Sequence, residues 1–274
     1  MSGFVLAAPF LESHPAAAGT FLLATVAPDL DALSRLFGKR AFLRAHQTWS
    51  HSLLVIAVLA LLVYLLPGVP ANVAVALGAG MAFHALLDWT NTYGITLWMP
   101  LSRRRFSADA VFFIDSVVVA LSAVATLVAV LLWPTPGWIA VLYAALLVAY
   151  IALKLVLRRR ALARCGGAPT SLLPSAWSPF RWFGCERRSR DVRLFRMNGS
   201  ITDQGTVSAL DDEAVRDLPE FRIMRELSPL FVVTERDGDM LTCRDLRTRN
   251  FGARFGTLRV RVGPDGAEVV AFEV

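Results

Sequence analysis

The sequence predicts a mainly α, polytopic helical membrane protein, with about four transmembrane helices plus an N-terminal apolar helix, followed by a small C-terminal cytosolic α+β domain. Three observations lead there. The 274 residues are 55% hydrophobic with a mean hydropathy of +0.51, above the roughly 45–50% apolar share of soluble domains. Two long runs, Ser52 to Leu87 and Ser116 to Ala152, contain no Asp, Glu, Lys or Arg, and each is broken once by a Pro/Gly turn. After Arg164 the composition turns charged and alternating.

Each element follows from these breaks. Pro67-Gly68-Val69-Pro70 divides the first run into helices over about 52–67 and 71–88. Pro134-Thr135-Pro136-Gly137 divides the second, giving helices over about 109–133 and 137–157. Pro and Gly interrupt helices, so both breaks read as tight turns between antiparallel spans. The first pair is short against the roughly 20 residues of a full crossing, which calls for tilt or a thin bilayer. A shorter apolar stretch, Ala16 to Ala27, reads as a re-entrant or interfacial helix entering the turn Pro28-Asp29-Leu30-Asp31. No basic segment precedes the N-terminal apolar stretch, and Glu12 and His14 interrupt it, so the sequence is read as mature from Met1 rather than as carrying a cleaved leader.

Orientation comes from the cations. Arg35, Lys39, Arg40 and Arg44 precede the first span, Arg103 to Arg105 separate the second and third, and Lys154 with Arg158 to Arg160 end the fourth. The two Pro/Gly turns carry no charge, and basic loops stay cytoplasmic, so the protein is expected in a bacterial inner membrane with its tail in the cytoplasm. A net charge of +6 gathered beside apolar runs is met by anionic headgroups, and no nucleic-acid partner is expected. The partner expected is the lipid bilayer; the oligomeric state is left open.

We divide the chain into a membrane-embedded domain at 1–164, an interfacial linker at 165–190 and a cytosolic α+β tail at 191–274. Pro174 to Phe180, with Trp177, fits a segment at the membrane surface. In the tail, Leu230–Thr234 and Thr257–Val262 read as strands, Asp237-Gly238 and Pro264-Asp265-Gly266 as hairpin turns, and Ala209 to Glu226, begun by Ser208, as a helix. Cys165, Cys185 and Cys243 form no CxxC pair and imply neither a disulfide nor a zinc knuckle.

All four histidines, His14, His46, His51 and His84, lie in the first third of the chain. His84 and Asp88 stand at i and i+4 and so share one helix face. Either they chelate a metal or they satisfy each other by a hydrogen bond. By the topology above, His46 and His51 begin the first span on the same side as His84, and Asp29, Asp31, Asp109 and Asp115 arrive there too. Ionisable groups in apolar helices are costly, and a carboxylate as deep as Asp115 needs a partner. Several imidazoles with several carboxylates make a mixed N/O set that suits zinc, with manganese or iron as alternatives, better than calcium. The expected metal ligands are His46, His51, His84, Asp88 and Asp109, with Asp29, Asp31 and Asp115 as further ligands, orienting groups or the general base. Arg103 to Arg105 read as topology determinants before phosphate binders, and Gly94 as the positive-φ residue of a turn, Asn91 to Gly94.

Pro28-Asp29-Leu30-Asp31, His46 with Ser50-His51-Ser52, His84-x3-Asp88 with Asn91-x2-Gly94, and Trp98-x-Pro100-Leu101 leading to Asp115 together resemble the YdjM-like family, described as LexA-regulated, inner-membrane-associated predicted metal-dependent hydrolases. The likeness spans about residues 13 to 116, with Ser13-His14 standing where that family has a Thr-His pair. It implies a membrane-bound hydrolase acting, with a divalent metal, on an ester or phosphodiester bond of a lipid or soluble substrate at the cytoplasmic face. The alternative is a non-enzymatic membrane protein whose cluster couples ions or ties helices together. Against ion transport, the outward turns and outer halves of the spans hold no ionisable group.

Overall fold

The structure, a computed structural model, describes residues 1–166, 171–249, 255–264 and 266–273. They fall into two compact units, one of Met1–Leu36, Ala45–Leu157 and Ala176–Pro179, the other of Phe37–Arg44, Arg158–Ser175 and Phe180–Val274. The helices up to the tail are α1 (Ser2–Ala7), α2 (Pro15–Ala24), α3 (Lys39–Ala45), α4 (Leu53–Tyr64), α5 (Ala71–Trp89), α6 (Ser116–Leu131) and α7 (Gly137–Arg164), with 3-10 turns at Ala27–Phe37 and Trp49–His51.

Among the described residues, α5 and α7 are each long and apolar enough to cross a bilayer. If Pro15–Ala24 with Ala27–Phe37, bent by 41°, and Lys39–His51 with Leu53–Tyr64, bent by 59°, each count as one span, the number is four. Both Pro/Gly turns fall between helices where the sequence placed them. Their outward surfaces are apolar: Val58, Leu61 and Leu62 on α4, Val124 and Leu127 on α6, and Val141 and Val148 on α7 are all exposed. Such faces suit hydrocarbon and would be costly in water. The third apolar helix is shorter than expected. It begins at Ser116 rather than near 109, because Asp109 has φ 45° and Asp115 caps α6 by accepting hydrogen bonds from the backbone N–H groups of Val117 and Val118.

Inside the helical unit, Val5, Ala8, Ala129, Ile139, Tyr143 and Leu147 form one core cluster, and Ala24, Ile56, Met81, Ala85 and Ile95 form a second. α1, which the hydropathy pattern did not single out, is held by its Ser2 hydroxyl, which lies 2.7 Å from the Tyr143 phenol and 3.1 Å from Ser122 Oγ. Lys154, read from the sequence as a topology determinant, is fully buried in α7 and donates to the Pro179 carbonyl at 3.3 Å.

The second unit corrects the expected α+β tail: it is β-rich. β1 (Ser171–Pro174), β2 (Trp182–Arg188), β3 (Asp191–Asn198) and β4 (Ser200–Ser208) make one antiparallel sheet; β5 (Phe231–Asp237), β6 (Met240–Asp245), β7 (Thr257–Gly263) and β8 (Gly266–Glu273) make another. The helix α8 covers only Pro219–Leu227. The expected start at Ser208 fails because Ser208 ends β4, Ala209 N–H bonds to Arg190 and Leu210 N–H bonds to Val233, so this backbone continues sheet pairing. Pro219 then supplies the fixed φ that opens a helix. Both strand runs named from the sequence are present, and β5 turns into β6 at Gly238, which has φ 57°. Asp265 of the second expected turn lies outside the described residues. Phe221, Met224, Phe231, Cys243 and Leu258 fill the core, where burial pushes the Cys243 thiol up to about 12 and keeps it protonated. Leu43 of α3 joins this core, and Arg40 pairs with Glu220 at 2.6 Å, so part of the basic segment before the first span packs on the sheet unit.

Candidate metal centre

Four of the residues named from sequence converge in the helical unit. Single donor atoms of Asp29, His51, His84 and Asp88 all lie within 4.8 Å of one another. His84 and Asp88 come from the last turns of α5, Asp29 from the 3-10 turn Ala27–Phe37, and His51 from the end of the turn Trp49–His51. Close packing of α2 on α5 is part of the arrangement. A Cβ on Gly80 would meet Ala24 Cβ and Phe21 O, each at 2.7 Å. Gly80 lies one turn before His84, and this approach brings the Thr25 carbonyl to 2.9 Å from His84 Nδ1.

The hydrogen bonds fix both tautomers. A carbonyl only accepts, so His84 Nδ1 carries a proton, and in the neutral imidazole Nε2 is the atom with the lone pair. Ser50 donates its one hydroxyl hydrogen to Asp31 Oδ2 at 2.6 Å, so His51 Nδ1, 2.9 Å from Ser50 Oγ, is the donor in that contact. In the neutral ring its Nε2 is then the lone-pair atom as well. Both Nε2 atoms are buried and have no hydrogen-bond partner, yet they face carboxylates: His51 Nε2 lies 3.1 Å from Asp88 Oδ2, and His84 Nε2 lies 3.7 Å from the same oxygen and 3.4 Å from Asp29 Oδ1. Lone pairs facing carboxylate oxygens repel unless a cation lies between them. Donors about 2.0–2.1 Å from one tetrahedral zinc stand roughly 3.3–3.4 Å apart, within the span of the three observed distances. The residues fit a divalent cation.

Behind them is a layer that orients the ligands. Asp31 accepts from His46 Nδ1 at 2.6 Å and from the Gln47 backbone N–H at 2.9 Å, besides Ser50. Gln47 Nε2 donates to Asp88 Oδ2 at 3.0 Å. Such outer partners hold the ring and tautomer of a metal-binding histidine. Arg105 donates to the carbonyls of Gly94 and His46, each at 2.9 Å, tying together two loops beside the group. Burial pulls its guanidinium down to about 10, which leaves it charged at neutral pH. Arg103 and Arg104 are exposed. The site is closed on one side and open on the other: the His51 side chain has 0% exposure and that of Asp29 55%.

The remaining named residues lie outside the group of four. His46 is one step back, on Asp31. Asp109 accepts from Ser107 Oγ at 2.7 Å. Asp115 caps α6 and accepts from the Tyr150 hydroxyl at 2.9 and 3.0 Å. His14 is exposed and contacts Ser13. Thr25 and Gln47 were not assigned a role from sequence: Thr25 acts through its backbone, which no residue type reports, while Gln47 stands in the polar run His46 to His51, and that run is its one visible signal.

A family model described as YdjM inner membrane protein matches residues 1–161. No curated protein and no solved structure matches the chain.

Proposed function

The chain belongs to the YdjM inner membrane protein family, and from that membership and the two bare imidazole nitrogens we propose a membrane-bound, metal-dependent hydrolase of an ester or phosphodiester bond, working at the cytoplasmic face. The observation that carries this reading is the pair His51 Nε2 and His84 Nε2, both buried without a hydrogen-bond partner and both facing carboxylates.

In this reading His51, His84 and Asp88 hold the cation: two imidazoles and one carboxylate, a donor set that catalytic zinc uses with one position left open.

 The single negative charge of Asp88 would offset half the charge of a divalent cation, and His84 Nδ1 and His51 Nδ1 stay protonated through Thr25 and Ser50. When bound, a divalent cation lowers the pKa of water toward neutrality and polarises the bond to be cleaved. Asp29, at the open edge 3.4 Å from His84 Nε2, takes the proton of the attacking water. Asp31 holds His46 and Ser50 in place and, through Ser50, the His51 ring. Water adds across the ester, its oxygen going to the acyl carbon or phosphorus and a proton to the leaving alcohol oxygen.

The test is turnover of 4-nitrophenyl esters and bis(4-nitrophenyl) phosphate by the full chain in detergent. We expect hydrolysis of one class with zinc or manganese present, loss to background on chelation, and recovery on adding metal back. Metal-loaded protein that leaves both classes and phospholipid intact contradicts the hydrolase reading.

A further inference from the structure

A cavity of about 210 Å³ in the helical unit is lined by His84 and Asp88 of the metal group and by apolar side chains of the spans, among them Val118 and Val119 of α6 and Leu147 and Ile151 of α7. We propose that this cavity takes a single alkyl or acyl chain of a membrane amphiphile, with the polar linkage beside that chain placed against His84 and Asp88. The inference rests on the hydrolase reading and names its substrate class: a lipid-derived ester or phosphodiester rather than a water-soluble one.

Three observations carry it. The walls are mainly apolar, and besides His84 and Asp88 their polar side chains, Thr90, Asn91 and Asp115, are already engaged with the Leu87 carbonyl, with Asp88 and Gly94, and with the start of α6 and Tyr150, so most hydroxyls of a sugar or nucleotide would be left unpaired. The volume lies below the roughly 300–1,000 Å³ of pockets that enclose a drug-sized ligand, so one chain segment fits and a two-chained lipid does not. The helices that supply the walls are apolar outside as well: Val119 is itself 41% exposed, and Val124 and Val148 face outward on the same two helices. A chain already in the bilayer therefore reaches the cavity without crossing water.

The experiment labels the full chain in lipid nanodiscs with a lysophosphatidylcholine that carries a diazirine at mid-chain, and maps the cross-links by mass spectrometry. We expect cross-links on the α6 and α7 residues that line the cavity, reduced at least about fivefold by excess unlabelled lysophosphatidylcholine and unchanged by glycerophosphocholine, which has the headgroup but no chain. Val119→Trp should fill the slot and reduce these cross-links equally, whereas Val148→Trp, on an outward position of α7, should leave them as in the wild type. Cross-links confined to outward positions, or equal competition by glycerophosphocholine, would overturn the proposal. Competition is read on the wild-type chain, so a Val119→Trp protein that fails to fold does not spare the inference. Labelling needs no turnover: labelling without hydrolysis of any ester sinks the hydrolase reading and keeps the chain slot, while hydrolysis of water-soluble esters without cavity labelling does the reverse.

Discussion

The double variant His84→Ala/Asp88→Ala loses its metal. Two of the three closest donors disappear from one face of α5, and His51 Nε2 is left with no ligand partner nearer than Asp29. Since removing even one orienting partner of a ligand typically costs 10–100-fold in affinity, removing two ligands should weaken zinc binding by at least about a thousandfold. Competition against a chromogenic zinc chelator in detergent measures this directly. The paired control is Asp109→Ala, whose carboxylate accepts from Ser107 outside the group of four and which should bind zinc like the wild type. Equal affinity in the double variant and the wild type would mean that any metal sits elsewhere.

Gly94→Ala should be the most destabilising single change near the site. Gly94 has φ 64°, and a Cβ there would meet the Phe106 carbonyl oxygen at 2.3 Å. That oxygen accepts from Ile95 N–H at 3.0 Å in the short bridge that joins the two loop strands, and it cannot withdraw without breaking the bond. The left-handed conformation alone costs about 1–2 kcal/mol, and the backbone clash should raise the total to about 3 kcal/mol or more. Gly68 supplies the comparison: it has φ 80° with nothing within 4 Å, so Gly68→Ala pays the conformational cost alone. Thermal unfolding of the two variants in one detergent should show a clearly larger loss for Gly94→Ala; equal losses would remove the clash from the account.

Parts of this arrangement were legible in the sequence and parts were not, for identifiable reasons. Uncharged runs broken by Pro and Gly mark helix ends through covalent geometry, so α5 was readable at Ala71–Trp89 to within a residue. The face shared by His84 and Asp88 is likewise a matter of helical period. The choice between Asp29 and Asp31 is different. Both lie in one 3-10 turn, where residues two apart point in different directions, so Asp29 faces His84 while Asp31 faces His46 and Ser50. Nothing in their spacing says which of the two meets the metal group. His46 and His51 pose the same problem, because Gln47, at φ 61°, redirects the chain between them. The tail was misread for a local reason: acids at Asp211, Asp212 and Glu213 resemble a helix first turn, yet Asp211 and Asp212 hold a turn through Glu213 N–H and Arg216. Tertiary pairing of Ala209 and Leu210 with neighbouring backbone outweighed that signal.

The central claim is that two imidazoles and a carboxylate hold one cation at the end of α5. X-ray absorption at the zinc edge, on the full chain purified in detergent and loaded with one equivalent of zinc, tests it most directly. The account predicts retained zinc with a nitrogen and oxygen shell, the outer-shell pattern of two imidazoles, and no sulfur. Zinc that washes out, or a sulfur-containing shell, would contradict it.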